Sequence, residues 1–182
     1  MTTAEATADQ SHEAEQTAQT QVPELDERLA RANTIIHRNV LWTLGAGLVP
    51  VPMFDLVAVT GVQLKMLREL TLLYNVPFNE GLVKKALASL VAGLGGVGIG
   101  AALAPSFAKF IPVIGTALGV VSVSIVSGAF TLATGRVFTM HFESGGTLLD
   151  FDPRAMREHF KREFEKAKVT VTQIKNEQDK AK

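Results

Sequence analysis

The 182-residue chain has no cysteine, which excludes disulfides, thiol catalysis and zinc–thiolate sites. It also has no excess of charge. Eighteen basic residues balance eighteen acidic ones, which argues against a nucleic-acid binder that works through a broad basic field. Aromatic residues with a polar tip are scarce, with one Trp and one Tyr. No Gly-x-x-x-x-Gly-Lys-Ser/Thr loop occurs, so the chain has no phosphate loop of its own, and no serine stands in a nucleophile-elbow motif. What the chain has is a domain-sized length and 47% apolar residues, very unevenly distributed.

Residues 1–22 are built from Thr, Ala, Glu, Gln and Ser, with Glu5, Asp9, Glu13 and Glu15 and no Lys or Arg. This composition predicts a disordered acidic tail, and the absence of a basic and apolar leader predicts a cytoplasmic N-terminus. Pro23 then opens an amphipathic helix in which Leu25, Leu29, Ala32, Ile35, Ile36 and Val40 recur at helical spacing, with Arg28, Arg31 and Arg38 on its polar face. The centre differs in kind. Residues 86–108 and 110–135 carry no charge, Lys109 stands alone between them, and Pro105 and Pro112 punctuate the connection. Each stretch exceeds the roughly 20 residues needed to cross a hydrocarbon core, and together they predict a transmembrane hairpin. The alternative is a pair of buried helices in a soluble core, although a chain of this size rarely has helices without a wet face. Residues 153–182 are highly charged, yet Met156, Phe160, Phe164, Ala167, Val171 and Ile174 recur every three or four positions. That pattern predicts an amphipathic cytoplasmic helix for a membrane surface, a partner helix or its own domain.

Small residues line the hairpin. Ala88, Ala92, Gly96, Gly100 and Ala104 fall at four-residue intervals, and the facing stretch offers Gly115, Gly119 and Gly128. Between membrane helices such faces allow close backbone approach, here closing the hairpin on itself or joining copies into a homo-oligomer. Gly93, Gly95 and Gly98 match a dinucleotide fingerprint formally, but an apolar helical context replaces the strand–turn–helix unit, so no nucleotide site is expected.

Residues 39–64 hold one charge, Asp55, and Pro50 with Pro52 break any helix near the midpoint. A simple crossing would also put Arg28, Arg31 and Arg38 opposite Lys65, Arg68, Lys84 and Lys85, against the positive-inside bias. A shallow or re-entrant entry segment is expected. Asp55 then either caps the next helix or is a functional group at membrane depth, and Gln63 follows on that helix.

The run Val49-Pro50-Val51-Pro52-Met53-Phe54-Asp55-Leu56, followed by Gln63, Met66 and Leu70 through Tyr74, resembles the start of the YcjF-like domain of unknown function. Phe110-Ile111-Pro112-Val113-Ile114-Gly115 and Ala133-Thr134-Gly135-Arg136 resemble its second half, so the likeness covers about Ile35 to Gly146. The resemblance implies a bacterial membrane-associated helical domain, 23–152 here, that in some members accompanies a small GTPase.

No catalytic constellation emerges. His12, His37, His141 and His159 form no recognised metal-ligand spacing, and Asp150 and Asp152 before Pro153 read as helix-start signals. No catalytic, cofactor or metal site is expected. The sequence therefore predicts an all-α, multi-pass protein of the bacterial inner membrane with both termini cytoplasmic. It would act as a non-enzymatic scaffold that self-associates in the lipid bilayer, binds no nucleic acid, and recruits a cytoplasmic partner such as a GTPase. Two rivals are a pore using Asp55 with Ser124, Ser127 and Thr131, and a soluble helical protein that inserts conditionally.

Overall fold

A computed structural model describes residues 3–46, 54–94 and 116–180, with side chains for 24–45, 59–94 and 124–180. Among the described residues there are five helices and no strand: α1 (Thr3–Ala46), α2 (Phe54–Leu73), α3 (Glu80–Gly93), α4 (Thr116–Glu143) and α5 (Arg157–Lys180). The described residues are all-α, as expected.

The backbone of α1 is helical through residues 3–22, the stretch read as a tail, and Pro23 lies inside the helix rather than at its start. Ala, Glu and Gln upstream of Pro23 are strong helix formers, which favours this continuity. Segment 39–64 is not a single element. Asn39–Ala46 closes α1 and Phe54–Leu64 opens α2, while residues 47–53, with Pro50 and Pro52, lie outside the described residues.

Side-chain pairings fix the directions of the helices. Thr43 on α1, Gln63 on α2 and Thr131 on α4 meet at one level, and Arg28, Tyr74 and Glu143 meet at another. So α2 and α4 run parallel to each other and antiparallel to α1. Helix α5 returns along α4, with Val171 against Gly128 and Glu163 beside Arg136.

Each helix contributes one stripe to the core: Ala32, Ile36, Val40 and Leu44 from α1; Met66, Leu67 and Leu70 from α2; Val83, Leu87 and Leu90 from α3. The apolar residues spotted on the C-terminal helix, Phe160, Phe164, Ala167 and Val171, are all buried, chiefly against α4. Of the three surfaces open to that amphipathic helix, its own domain takes it. Helix α4 is the exception to one-sided burial. Between Ser124 and Glu143 only Met140 is exposed, because α1, α2 and α5 enclose it. The missing charge over 124–135 is what a helix surrounded by others requires.

The turns carry their local chemistry. Asn75 (φ 53°) and Gly145 (φ 82°) end α2 and α4 in the left-handed conformation. At each, the residue's own amide and the next return to carbonyls of the last turn: Asn75 to Leu72 and Val76 to Thr71, then Gly145 to Phe142 and Gly146 to His141. Asn79 caps α3 by accepting from the Leu82 amide at 3.0 Å. Loop 144–156 folds back on α4, stacking Phe151 on Phe138 with ring centroids 4.2 Å apart.

The expected spans fall partly outside what is described. Residues 86–93 belong to α3, 95–115 lie outside the described residues, and from Thr116 the second stretch is α4. Among the described residues no helix is long and apolar enough to cross a membrane.

Close helix approach gives a test of the packing. A Cβ on Gly135 would lie 2.6 Å from Cγ1 of buried Ile36, whereas one on Gly61 meets nothing within 4 Å. Gly135→Ala is expected to lower stability by about 1–3 kcal/mol through overpacking. Gly61→Ala is expected to raise it by about 0.5–1 kcal/mol, the ordinary gain within a helix. Thermal unfolding followed by circular dichroism reads both signs.

Candidate functional site: a polar seam between three helices

The strongest polar feature is a seam where α1, α2 and α4 meet. Thr131 Oγ1 accepts from Gln63 Nε2 at 2.7 Å and lies 3.1 Å from Thr43 Oγ1. All three residues are fully or almost fully buried. Thr43 and Thr131 also return hydrogen bonds to the carbonyls one turn back, of Asn39 and Ser127. Gln63 Oε1, Thr134 Oγ1 and Thr139 Oγ1 are buried without a partner among the described residues.

One turn along α1, the buried amide of Asn39 donates to Glu69 Oε2 at 3.0 Å. Glu69 also binds Arg38 (2.9 Å) and Lys65 (3.1 Å), and so ties α1 to α2 at the surface. Burial works against ionisation of Glu69, but the hydrogen bonds from Asn39, Lys65 and Arg38 hold its carboxyl below the usual range.

At the far end Arg28 binds Glu143 through two parallel hydrogen bonds of 3.0 and 2.9 Å, and Tyr74 donates to the same carboxylate at 2.6 Å. The Arg28 guanidinium lies 5.6 Å from the Tyr74 ring centroid. The Arg28 hydrogen bonds hold the Glu143 carboxyl below its ordinary range, despite partial burial. Burial and the neighbouring carboxylate push the Tyr74 hydroxyl well above its usual range, so it stays a donor. One carboxylate thereby joins three helices.

His141 is buried, with Nε2 2.8 Å from the Thr147 carbonyl oxygen and its ring edge-on to Phe151. A Cβ on Gly146 would lie 2.4 Å from that ring, so only glycine fits there. Asp150 accepts from the Thr147 amide and Asp152 from the Arg154 amide, both in turn-capping roles. Among the described residues no three His, Asp or Glu side chains cluster to hold a metal. The seam's chemistry is the pairing of Gln63 Nε2 with Thr131 across helices, which favours one register of the three helices while leaving Gln63 Oε1 without a partner among the described residues.

Of the residues singled out from sequence, Gln63 lies at the centre of the seam and Gly128 lies one turn from Thr131, at the contact with Val171 and Leu44. Ala88 and Ala92 are exposed on α3. Asp55 and Gly119 belong to α2 and α4, but their surroundings lie outside the described side chains. Pro50, Pro52, Gly96, Gly100, Ala104 and Gly115 lie outside the described residues. Sequence reasoning missed Asn39, Thr43, Glu69 and the Arg28–Tyr74–Glu143 cluster. The partners in that cluster stand as far as 115 positions apart, beyond any helical spacing.

Glu143 makes the pH dependence testable. Its folded pKa lies below the ordinary 4.5, so its stabilising contribution is complete above that value and disappears as pH falls through the folded pKa. Glu143→Gln is expected to cost about 1–2 kcal/mol near neutral pH, as loss of a partly exposed, charge-assisted contact. Urea unfolding at a series of pH values should show this deficit shrinking in acid.

Comparison with known proteins places these observations. A family model described as Domain of unknown function (DUF697) matches residues 10–168. Magnetosome membrane protein 22 of Magnetospirillum gryphiswaldense is 41% identical over 150 residues, which cover 82% of this chain and 77% of that protein. No solved structure matches the chain significantly. The proline-broken segment, the helix bearing Gln63 and the central uncharged helix all lie within the matched region, and the chain belongs to the DUF697 family, the YcjF-like domain of unknown function.

Proposed function

We propose that the protein is a membrane-associated, non-enzymatic scaffold that self-associates and presents its helical bundle to a partner in the cytoplasm. The observation that carries this reading is the stretch between α3 and α4. Residues 95–115 hold one charge, Lys109, in a chain 41% identical to a protein named for a membrane. Residues 47–53, also uncharged, join α1 to α2 at the end of the bundle from which α4 starts. Almost uncharged sequence that leads into both α2 and α4 at one end of the bundle suits a helical body attached to a bilayer there.

The attachment assigned to residues 95–115 is shorter than the two-span hairpin over 86–108 and 110–135. Residues 124–135 are enclosed by α1, α2 and α5, and a crossing there would strip α4 of those partners. In place of a chemical step, the described residues offer a buried polar seam and ion pairs that tie the helices together. Recruitment of a GTPase rests on the family resemblance alone.

Alkaline carbonate extraction of membranes from cells expressing the full chain tests the attachment. The protein is expected in the pellet, and release into the supernatant would overturn the reading. Self-association is read by crosslinking in the same membranes. A ladder of multimers is expected, shortened in Gly96→Leu/Gly100→Leu if that small-residue face mediates assembly. Monomer alone in the unsubstituted protein rules the scaffold out.

A further inference from the structure

The outer faces of α1 and α2 form a surface for which the bundle has no internal use. Arg38 and Trp42, four residues apart, share one face of α1, and Lys65, Arg68 and Leu72 share one face of α2. The two strips adjoin, because Arg38 and Lys65 both bind Glu69. On this face Trp42 is 63% exposed and Leu72 70% exposed. Three cations stand against one carboxylate, and Arg68 makes no ion pair among the described residues.

We propose that this α1–α2 face rests on an anionic lipid surface, with the Trp42 indole in the headgroup layer and Arg38, Lys65 and Arg68 on lipid phosphates. The proposal rests on the membrane reading above and deepens it by naming the face and the lipid charge. An indole combines a large apolar ring with one N–H donor, and is at its best where one side is apolar and the other wet. A guanidinium has five donors, so Arg38 can hold Glu69 and still reach a phosphate. The face leads along α1 into sequence that is uncharged from Asn39 to Phe54, so nothing beside it repels hydrocarbon. The other cationic surface, on α5, is a weaker match because its one exposed large apolar side chain among the described residues is Val169 and no exposed aromatic ring accompanies its cations. Lys161, Lys166 and Lys168 are neutralised by Glu158, Glu163 and Glu165 on the same helix.

The chain has a single tryptophan, so its fluorescence reports this face alone. The full chain is reconstituted with vesicles of phosphatidylcholine, with or without phosphatidylglycerol, carrying lipid brominated near the glycerol end of its acyl chains. Expected with phosphatidylglycerol are a blue shift and quenching of Trp42, both reduced by salt. Arg68→Gln should weaken the docking equilibrium roughly five-fold, the contribution of one cation near an anionic surface. Trp42 emission that stays water-like while the protein sediments with vesicles overturns the inference and leaves the membrane reading standing. Quenching indifferent to phosphatidylglycerol refutes the anionic partner. Failure to sediment at all removes both the inference and the reading on which it rests.

Discussion

Helix α4 has no charged side chain before Arg136 and, from Ser124 to Glu143, no exposed residue but Met140, and the rest of the bundle is arranged around covering it. A helix that is apolar on every side cannot present one side to water without exposing several hundred square ångströms of hydrocarbon. Three other helices must therefore reach it, and each does so with a single apolar stripe. Glycine sets how close they come. At Gly135 the side chain of Ile36 occupies the place of a Cβ, and at Gly128 Val171 and Leu44 do the same. The small residues of this helix permit interhelical approach within one chain, the service they would also perform in a bilayer.

Apolar packing of this kind is tolerant of sliding, since one stripe of Ile, Leu and Val fits another in several registers. Polar contacts restrict the choice. A shift of one turn between α1 and α4 would part Thr43 from Thr131, break the paired Arg28–Glu143 hydrogen bonds and leave several buried groups unpaired. The seam and the Arg28–Tyr74–Glu143 cluster stand at two levels of the same three helices, so the pair of them fixes translation and tilt together. Such networks commonly specify an arrangement more than they stabilise it.

Periodicity made the helices legible wherever one face is wet: the stripes of α1, from Leu25 to Val40, and of α5, from Phe160 to Val171, stand out against charged neighbours. The family, too, was legible in the order of its proline elements. The environment of α4 was not. Uncharged sequence records only that water is excluded, and both lipid and surrounding helices exclude it. Resolving the two needs the positions of α1, α2 and α5, which depend on contacts such as Thr43–Thr131 and Arg28–Glu143 between residues far apart in the chain. Gln63 was singled out through its family segment, but its role followed only when Thr131 was placed against it. The Tyr74 hydroxyl, likewise, is committed to Glu143 inside the bundle, a partner 69 positions away.

These distinctions also bear on how the body meets a membrane. Two of its helices have their apolar stripes covered by α4 and still carry exposed apolar side chains on the opposite side: Trp42 on α1 and Leu72 on α2. On α5 the corresponding outer position is Val169, a smaller side chain than the indole, and the lysines beside it, Lys166 and Lys168, are paired with Glu163 and Glu165 of the same helix. The α1–α2 face instead gathers its cations around one shared carboxylate, leaving net positive charge beside a large aromatic ring. A planar anionic partner answers both features at once, since phosphates meet the cations while the ring and Leu72 lie in the layer below them. An apolar pocket on a protein would answer only the second.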